Sequence, residues 1–374
     1  MVGFELPLYR ISSTGNAELL GKFVVFHNNK YALEPGGHVL MGLPLLLADM
    51  TPQGFLGRAF AQKFGPELEI SNRPQDWGND QILVALARRG EDLAGDLLVG
   101  KESAVRFEER SMKMATRAQF PALAASAIEG TQVGSSAGGE RPKFTACVDG
   151  RHCLIKFVAP ESPAVAKRWG DLLRLENLAL DILQSAGIAA AQSELLEISG
   201  QLFLEIERFD RLGTNGRRAV LSLAGVEDTL YGRRDTWAAS ALRLERDRWI
   251  SADDARRIRF MDVFGAWIGD SDRHFHNIVF FPELDKNNPL EFRSLRLAPA
   301  FDKVPMALAP NLGVVPNKPL PIPSEHPDFM DVWQDALLLA TEYWERCIQK
   351  DSKLSDEVQE LARTHLKSIK RKIK

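Results

Sequence analysis

The amino-acid sequence predicts an α+β fold in two parts, a sheet-rich half followed by a helix-rich half. In the first half, short apolar runs at 144–148 and 153–158 flank Asp149-Gly150, a pair that is typical of a β-hairpin turn. In the second half, apolar residues recur with the period of an α-helix, most clearly over 329–370. The length of 374 residues indicates two or three domains.

Composition and charge restrict the class of protein. Apolar residues make up 45% of the chain and charged residues 26%, which is sufficient for a packed core. A formal net charge of −3 does not indicate a surface dedicated to nucleic acid or membrane. The three cysteines are too few for a disulfide framework. We expect a cytoplasmic protein without signal peptide or membrane span, since no apolar run reaches about 18 residues.

The first 115 residues are predicted to form one unit. Apolar runs at 22–27 and 93–100 have the length of strands, whereas 42–60 and 80–89 have the spacing of helices. No nucleotide-binding or metal-binding pattern is visible in residues 1–115, so we expect a role in packing or partner binding.

The elements that follow are two strand pairs separated by a helix. The helix is predicted over 171–186, and Gly187 suits the left-handed conformation that ends helices. The second strand pair is predicted at 191–198 and 201–207.

Beyond residue 211 the pattern is mainly helical. Ser251 is a suitable N-cap with acidic residues in the following turn, and the helical period continues to Gly269. Strand-like runs at 278–281 and 295–297 interrupt the helices.

Polar residues cluster where this helix ends, in the segment GDSDRHFHN at 269–277. Asp272 and Asn277 have the spacing D-x-x-x-x-N, in which kinase catalytic loops supply a proton-accepting Asp and a Mg²⁺-binding Asn. Asp302 follows after another short strand, and its carboxylate would suit a hard cation that also binds phosphates. The alternative is a solvated loop, which the following strand and second aspartate disfavour.

Lys156 lies in a predicted strand with apolar residues on the same face. A lysine in such surroundings usually pairs with an acid or a phosphate, and Glu176 on the next helix is the candidate acid. A strand lysine and a helix glutamate form the pair that positions the phosphates of ATP in kinases. The alternative is an edge-strand lysine that reaches water.

A glycine-rich loop precedes the first hairpin and contains Ser135, Ser136, Ala137, Gly138 and Gly139. Glycines allow backbone N–H groups to approach phosphates closely. The loop is not a Walker A motif, because Glu140 stands where a lysine is required. A flexible connector is the alternative.

Two other polar features have modest interpretations. His274 and His276 form an H-x-H pair, but no third ligand has a recognisable spacing, so we favour a loop-ordering role for His274. Five of the last eight residues are basic, which leaves direct nucleic-acid contact open.

Six segments in this order resemble the HipA family of toxin kinases, and its YjjJ-like branch in particular: SSAGGERPKF, LIKF, LEN, IERFDR, GDSDRHFHN and LAPAFD. The resemblance implies a protein-kinase-like α+β fold with a sheet-rich N-terminal lobe and an all-helical C-terminal lobe. A HipA N-terminal-like subdomain would occupy 1–115. The kinase core would occupy 116–374, with an ATP-binding part at 116–211 and a catalytic part at 212–374.

The resemblance also implies roles for individual residues. Asp272 would be the catalytic base, Asn277 and Asp302 would bind Mg²⁺, and Lys156 would bind the phosphates of ATP. The other ATP-binding residues would be Ser135, Ser136, Ala137, Gly138, Gly139, Glu176, Glu207, Arg208, Phe209 and His274, with 207–209 as the hinge for adenine. Ser135 matches the serine that HipA kinases autophosphorylate, although the adjacent Ser136 leaves the modified position open.

We therefore expect an ATP-dependent Ser/Thr protein kinase. By resemblance, its substrate would belong to the translation apparatus and its partner would be an antitoxin with a DNA-binding module. One alternative is a kinase-like scaffold that no longer catalyses. The other is a metal-dependent phosphoesterase or nuclease built on Asp270, Asp272, His274 and His276.

Overall fold

The structure is a computed structural model and describes residues 2–36, 38–110, 114–130 and 140–373. Its strands are β1 (Val2–Ile11), β2 (Ala17–Phe26), β3 (Lys30–Glu34), β4 (Leu40–Met41), β5 (Leu97–Val99), β6 (Lys143–Val148), β7 (Arg151–Phe157), β8 (Ser193–Ile198), β9 (Gln201–Glu207), β10 (Arg211–Leu212), β11 (Gly216–Arg217), β12 (Leu221–Ser222), β13 (Val279–Leu284) and β14 (Phe292–Leu297). Its α-helices are α1 (Leu45–Ala48), α2 (Gly54–Leu68), α3 (Asn79–Arg89), α4 (Gly100–Glu109), α5 (Phe120–Ile128), α6 (Pro163–Ser185), α7 (Leu223–Leu230), α8 (Trp237–Arg246), α9 (Ala252–Ile268), α10 (Met330–Cys347) and α11 (Asp356–Ile373). Within these described ranges, no helix is both long and apolar enough to cross a lipid bilayer.

The chain forms two compact units, each made of separate stretches of sequence. Unit 1 comprises Met1–Lys156, Glu207–Gly232 and Val279–Arg296. Unit 2 comprises Phe157–Ile206, Arg233–Ile278 and Leu297–Lys374.

Unit 1 is built on a five-stranded antiparallel sheet in the order β4-β3-β2-β1-β5. Leu8, Phe23 and Leu98 are buried in this unit, and helices α3 and α4 pack on β5 and β1. Gly21 stands opposite Leu8, where a side chain would meet the backbone oxygen of Glu34 at 2.1 Å. Only glycine fits at this crossing of the strands.

Unit 1 also contains the predicted hairpin β6–β7. Asp149 and Gly150 have φ angles of +51° and +78°, the left-handed pair of a type I′ turn, which confirms the prediction. Strands β10 and β11 form a ribbon, and β12, β13 and β14 form a three-stranded sheet. The predicted glycine-rich loop lies outside the described residues, which omit 131–139.

Unit 2 contains the β8–β9 hairpin and helices α6, α8, α9, α10 and α11. Helix α9 begins at the predicted N-cap, where Ser251 Oγ accepts a hydrogen bond from the N–H of Asp254 at 3.1 Å. It ends at Gly269, as predicted, and the φ of +81° at this glycine is left-handed. The buried indole N–H of Trp344 donates to the carbonyl of Trp267 at 3.1 Å and fixes this end of α9 against α10.

Two helices differ from their predicted bounds. Helix α6 begins at Pro163 rather than at residue 171, because proline is favoured at the first helical position. The pattern predicted over 42–60 is divided between α1 and α2, since Pro52 lies between them and lacks a backbone N–H. The remaining elements follow the α+β prediction, with short strands between the helices of the second half.

Candidate active site

The candidate site begins where the chain leaves α9. The N–H of Asp270 donates to the carbonyl of Gly265 at 2.8 Å, which closes the helix around the left-handed Gly269. The chain then turns through 270–277, so that the polar segment singled out by its sequence lies in a loop of unit 2.

Asp272 and Asn277 are brought together by this loop. The side-chain Nδ2 of Asn277 donates to the carbonyl of Asp272 at 3.0 Å, and the N–H of His274 donates to the same oxygen at 2.8 Å. Asn277 is buried, whereas Asp272 is exposed. Because this bond engages the amide nitrogen of Asn277, the side-chain oxygen is the atom that could accept a hydrogen bond or bind a cation.

Asp302 has a left-handed backbone, with φ of +54°. This conformation costs most residues with a side chain about 1–2 kcal/mol, and aspartate, which tolerates it better than most, somewhat less. Ala300, two positions earlier, is held on both sides, since its N–H donates to the carbonyl of Ala189 and its carbonyl accepts from the N–H of Ala191, each at 2.8 Å. The strain therefore persists because the surrounding contacts determine the backbone, and such strain is common at functional sites.

Arg273 connects the loop to two helices of unit 2. Its Nε lies 3.0 Å from Oδ1 of Asp262 on α9, and its Nη1 donates to the carbonyl of Asp270. The other carboxylate oxygen of Asp262 accepts from the N–H of Ala238 in the first turn of α8, at 3.1 Å. Asp262 thus orients Arg273 and stabilises the start of α8 at the same time.

A cleft of about 380 Å³ opens beside the loop, within unit 2. Its lining is polar apart from two aromatic rings and consists of Asp235, Thr236, Trp237, Asp262, Ser271, Asp272, Arg273, His274 and Phe275. The exposed Asp272 is therefore one of the polar residues at the border of this cleft.

Replacing Gly265 by Ala is expected to disturb this loop. A Cβ atom at Gly265 would lie 2.8 Å from Cδ of Arg273, which cannot withdraw without breaking its pair with Asp262. After allowance for the better helix propensity of alanine, we expect the free energy of unfolding to fall by about 1–2 kcal/mol. Urea denaturation of the variant and of the unsubstituted chain measures this difference in the free energy of unfolding.

The matched control is Gly170→Ala in α6, where the nearest atom to a Cβ is the flexible end of Arg174 at 3.4 Å. This change should be neutral or stabilising, by up to about 1 kcal/mol. Equal effects of the two substitutions would contradict the steric account.

A buried pair of charges near this loop was missed by sequence reasoning. Lys303 and Asp270 are both almost completely buried. Burial lowers the pKa of the Lys303 ammonium, and the negative charge of Asp270 opposes that effect. Burial raises the pKa of Asp270, and Lys303 opposes it. Neither residue stands in a sequence pattern that indicates burial, because Asp270 lies in the polar segment 269–277 and Lys303 directly follows Asp302.

Lys156 lies in β7 of unit 1 and is 6% exposed. The alternative of an edge-strand lysine that reaches water is therefore wrong. Lys143 on β6 stands directly opposite Lys156 and is also buried, a second lysine that sequence reasoning missed. Two cations opposite each other on one face favour a nearby negative charge. Glu176 is buried in unit 2, and its pairing with Lys156 stays a prediction.

The predicted adenine hinge, 207–209, runs beside β7 in unit 1. The N–H of Arg208 donates to the carbonyl of His152 at 2.8 Å, and Glu207 lies 3.4 Å from Arg151. The ring of Phe209 packs edge-on against Phe281, with centroids 5.9 Å apart.

The hinge continues into a buried ionic network. Asp210 accepts two hydrogen bonds from Arg208, at 2.9 and 2.7 Å, and one from Arg211 at 2.6 Å. Arg211 in turn donates to the carbonyl of Leu93 at 2.8 Å. Burial alone would raise the pKa of Asp210, but the Arg208 and Arg211 guanidinium groups outweigh it and hold that pKa well below its usual range.

Of the remaining predicted site residues, the structure describes only His274. Ser135, Ser136, Ala137, Gly138 and Gly139 lie outside the described residues. His274 lines the cleft, and its Nδ1 is buried without a hydrogen-bond partner in the described part of the chain. No group of three or more His, Cys, Asp or Glu side chains in that part is arranged to hold a metal ion, which gives the phosphoesterase alternative no support.

Comparison with known proteins gives the family. Residues 2–108 match the family described as YjjJ-like toxin, middle domain, and residues 135–370 match the HipA-like C-terminal domain. Toxin YjjJ of Escherichia coli strain K12 is 31% identical over 381 residues, which cover 96% of this chain and 82% of that protein. The chain belongs to the HipA family, in its YjjJ-like branch. The HipA-like C-terminal match contains Lys156, Asp272, Asn277 and Asp302.

The HipA fold is also found among solved structures. The Shewanella oneidensis MR-1 toxin–antitoxin complex of HipA, HipB and operator DNA contains a chain with a TM-score of 0.60 and 13% identity. The match covers 98% of this chain and 97% of that one. At this identity the likeness concerns the fold alone, and it confirms the kinase-like α+β class predicted from the sequence.

Proposed function

We propose that the chain is an ATP-dependent protein Ser/Thr kinase of the HipA toxin type. The observation that carries this proposal is the loop after α9, in which Asn277 is hydrogen-bonded to the backbone of Asp272 and the exposed Asp272 lines a cleft. In kinase catalytic loops, the D-x-x-x-x-N spacing supplies the Asp that accepts the substrate proton and the Asn that holds Mg²⁺.

Asp272 is proposed to accept the proton of the substrate hydroxyl. Its exposed carboxylate can be reached by a Ser or Thr side chain, and its backbone carbonyl is held by two donors, His274 and Asn277. As the bond from the hydroxyl oxygen to the γ-phosphorus forms, the bond from that phosphorus to the leaving oxygen of ADP breaks. The proton is then on Asp272.

Asn277 and Asp302 are proposed to hold Mg²⁺. The donor set fits the ion, because an amide oxygen and a carboxylate are the hard oxygen ligands that Mg²⁺ prefers alongside phosphates. Nδ2 of Asn277 is engaged by Asp272, which leaves its oxygen for the ion, and the fixed backbone of Asp302 limits where its carboxylate can go. When bound, Mg²⁺ supplies charge neutralisation for the phosphates.

The residues of unit 1 are proposed to bind ATP itself. Lys156 would contact the phosphates with Glu176 as its acidic partner, and 207–209 would hydrogen-bond adenine. The glycine-rich loop would cover the phosphates, and His274 would order the catalytic loop beside them. Two buried lysines opposite each other at 143 and 156 support an anionic ligand on this face.

Regulation is proposed to act through autophosphorylation of Ser135, or of Ser136 if the register is shifted by one. A phosphoserine adds about −1.5 to −2 charges at neutral pH, which would repel the phosphates of ATP or displace the loop. We expect lower ATP affinity for Ser135→Asp than for Ser135→Ala. Equal affinities, also with Ser136 changed in the same way, would contradict the switch.

An antitoxin partner with a DNA-binding module is proposed from the relatives. One is named a toxin, and the other was solved with HipB and operator DNA. A protein component of translation is the proposed substrate class.

The test is to incubate the chain with Mg²⁺ and ATP labelled in the γ-phosphate. A kinase should transfer the label to its own Ser135 or Ser136, and chelation of Mg²⁺ should abolish the transfer. A scaffold that has lost catalysis would bind Mg-ATP and show a thermal shift without any labelled protein. Absence of label at saturating Mg-ATP, in protein purified without prior phosphorylation, would overturn the proposal.

A further inference from the structure

Two buried charges lie behind the catalytic loop and have no part in the chemistry proposed above. Lys303 directly follows Asp302 and is 0% exposed, and Asp270 stands two positions before Asp272 and is 1% exposed. Neither Nζ of Lys303 nor Oδ2 of Asp270 has a hydrogen-bond partner among the residues that the structure describes. Charges in such surroundings are rarely kept unless opposite charges compensate each other.

Lys303 is held against a wall of the cleft. Its Nζ lies 4.0 Å from the centroid of the Trp237 ring, a close cation–π contact. Trp237 lines the same cleft as Asp272. Because Lys303 is adjacent to Asp302, this contact also restricts the strained, left-handed backbone of Asp302.

Asp270 is held by the loop and in turn orders it. Its Oδ1 accepts a hydrogen bond from the N–H of Asp272 at 3.0 Å, and its carbonyl accepts from Arg273. The two segments are also joined through the backbone, since the N–H of Ala307 donates to the carbonyl of Gly269 at 3.0 Å. Asp270 and Lys303 thus lie on two segments that are anchored to each other.

The electrostatic effects of the two residues are reciprocal. Burial lowers the pKa of Lys303, and the charge that most opposes this shift is Asp270. Burial raises the pKa of Asp270, and the charge that most opposes that shift is Lys303. In a buried environment such attraction is strong even without direct contact, because little water screens it.

We propose that Asp270 and Lys303 are positioning residues, a buried pair of opposite charges that fixes the Asp302 segment relative to the turn at 270–272. The pair thereby sets the separation between the proposed base, Asp272, and the proposed Mg²⁺ ligand, Asp302. This inference rests on the proposed kinase function and names two residues that would act through others rather than on substrate.

The test compares Lys303→Met, Asp270→Asn and the double variant. The control is Lys318→Met, which changes an exposed lysine farther along the same segment of unit 2. For each folded protein, kcat, the KM for ATP and the Mg²⁺ concentration that gives half-maximal rate are measured. A role limited to stability would change the amount of folded protein and leave these three quantities unchanged.

Each single variant is expected to lower kcat by about 10- to 100-fold and to raise the Mg²⁺ requirement. The double variant should lose less than the product of the two single effects, because it leaves no uncompensated charge buried. Lys318→Met should match the unsubstituted chain. The inference would be overturned if the double variant lost the full product of the two single effects on kcat. It would also be overturned if the Mg²⁺ concentration for half-maximal rate were unchanged in the single variants.

Folding and function are separated by two further comparisons. If the single variants do not fold, kcat of the double variant is the test. A folded double variant with unchanged kcat overturns the inference. An unsubstituted chain that transfers no phosphate overturns the proposed function, and the pair's catalytic role with it. An active chain with unaffected variants overturns the pair alone.

Discussion

Replacing Asp272 by Asn is expected to lower the rate of phosphoryl transfer by about 10²- to 10⁴-fold, the usual contribution of a positioned acid–base group. The substitution is nearly isosteric and removes the proton acceptor. Asp272 is exposed, and its backbone carbonyl keeps its two hydrogen bonds in the variant, so the fold should be retained. Initial rates with labelled ATP measure the loss, and circular dichroism verifies the fold.

The same variant should still bind Mg-ATP, because the proposed metal ligands are Asn277 and Asp302. Its thermal stabilisation by Mg-ATP should therefore equal that of the unsubstituted chain, whereas Asp302→Ala should lose both this stabilisation and activity. The matched control is Asp351→Asn, which changes an exposed aspartate elsewhere in unit 2. A folded Asp272→Asn protein as active as this control would exclude Asp272 as the base.

Replacing Asp210 by Asn is expected to lower the free energy of unfolding by about 3–5 kcal/mol, the usual effect of removing one partner from a buried ion pair. Asp210 is 7% exposed and accepts hydrogen bonds from Arg208 and Arg211. Without its charge, the buried guanidinium groups of Arg208 and Arg211 lose their nearest counter-ion, and Asp92, 3.5 Å from Arg211, compensates only in part. Denaturation in urea at neutral pH measures the change.

The pH dependence distinguishes charge from packing. The pKa of Asp210 lies below its usual range in the folded protein, so its contribution to stability is complete above the unfolded-state pKa of about 4. That contribution is lost only as the pH falls toward the lower, folded-state pKa. The gap in stability between Asp210→Asn and the unsubstituted chain should therefore be constant from neutral pH to about pH 4 and narrow below it.

The control for this variant is Asp149→Asn, which breaks an exposed pair. Arg117 lies 3.5 Å from Asp149, whose side chain is 70% exposed, and asparagine also tolerates the left-handed turn. An exposed pair contributes about 0–1 kcal/mol. If Asp210→Asn lowered the free energy of unfolding no more than Asp149→Asn does, the buried network would contribute no more to stability than an exposed ion pair.

The sequence by itself determined the features whose causes lie within a few neighbouring residues. Asp149-Gly150 specifies its turn because both residues adopt positive φ readily. Ser251 and Gly269 specify the ends of α9 through a side-chain cap and a left-handed glycine. The spacing of Asp272 and Asn277 likewise pointed to the candidate catalytic loop, because both residues lie in one short loop, where Asn277 donates to the carbonyl of Asp272.

Only the tertiary structure decided which distant residues meet. Arg211 reaches the carbonyl of Leu93, 118 positions earlier along the chain, and no local pattern specifies that contact. Asp302 has a left-handed backbone, and the hydrogen bonds that fix nearby Ala300 come from Ala189 and Ala191, in a distant part of the chain. Lys303 and Asp270 could be recognised as a buried pair only after folding, because burial and the partner charge both come from other segments.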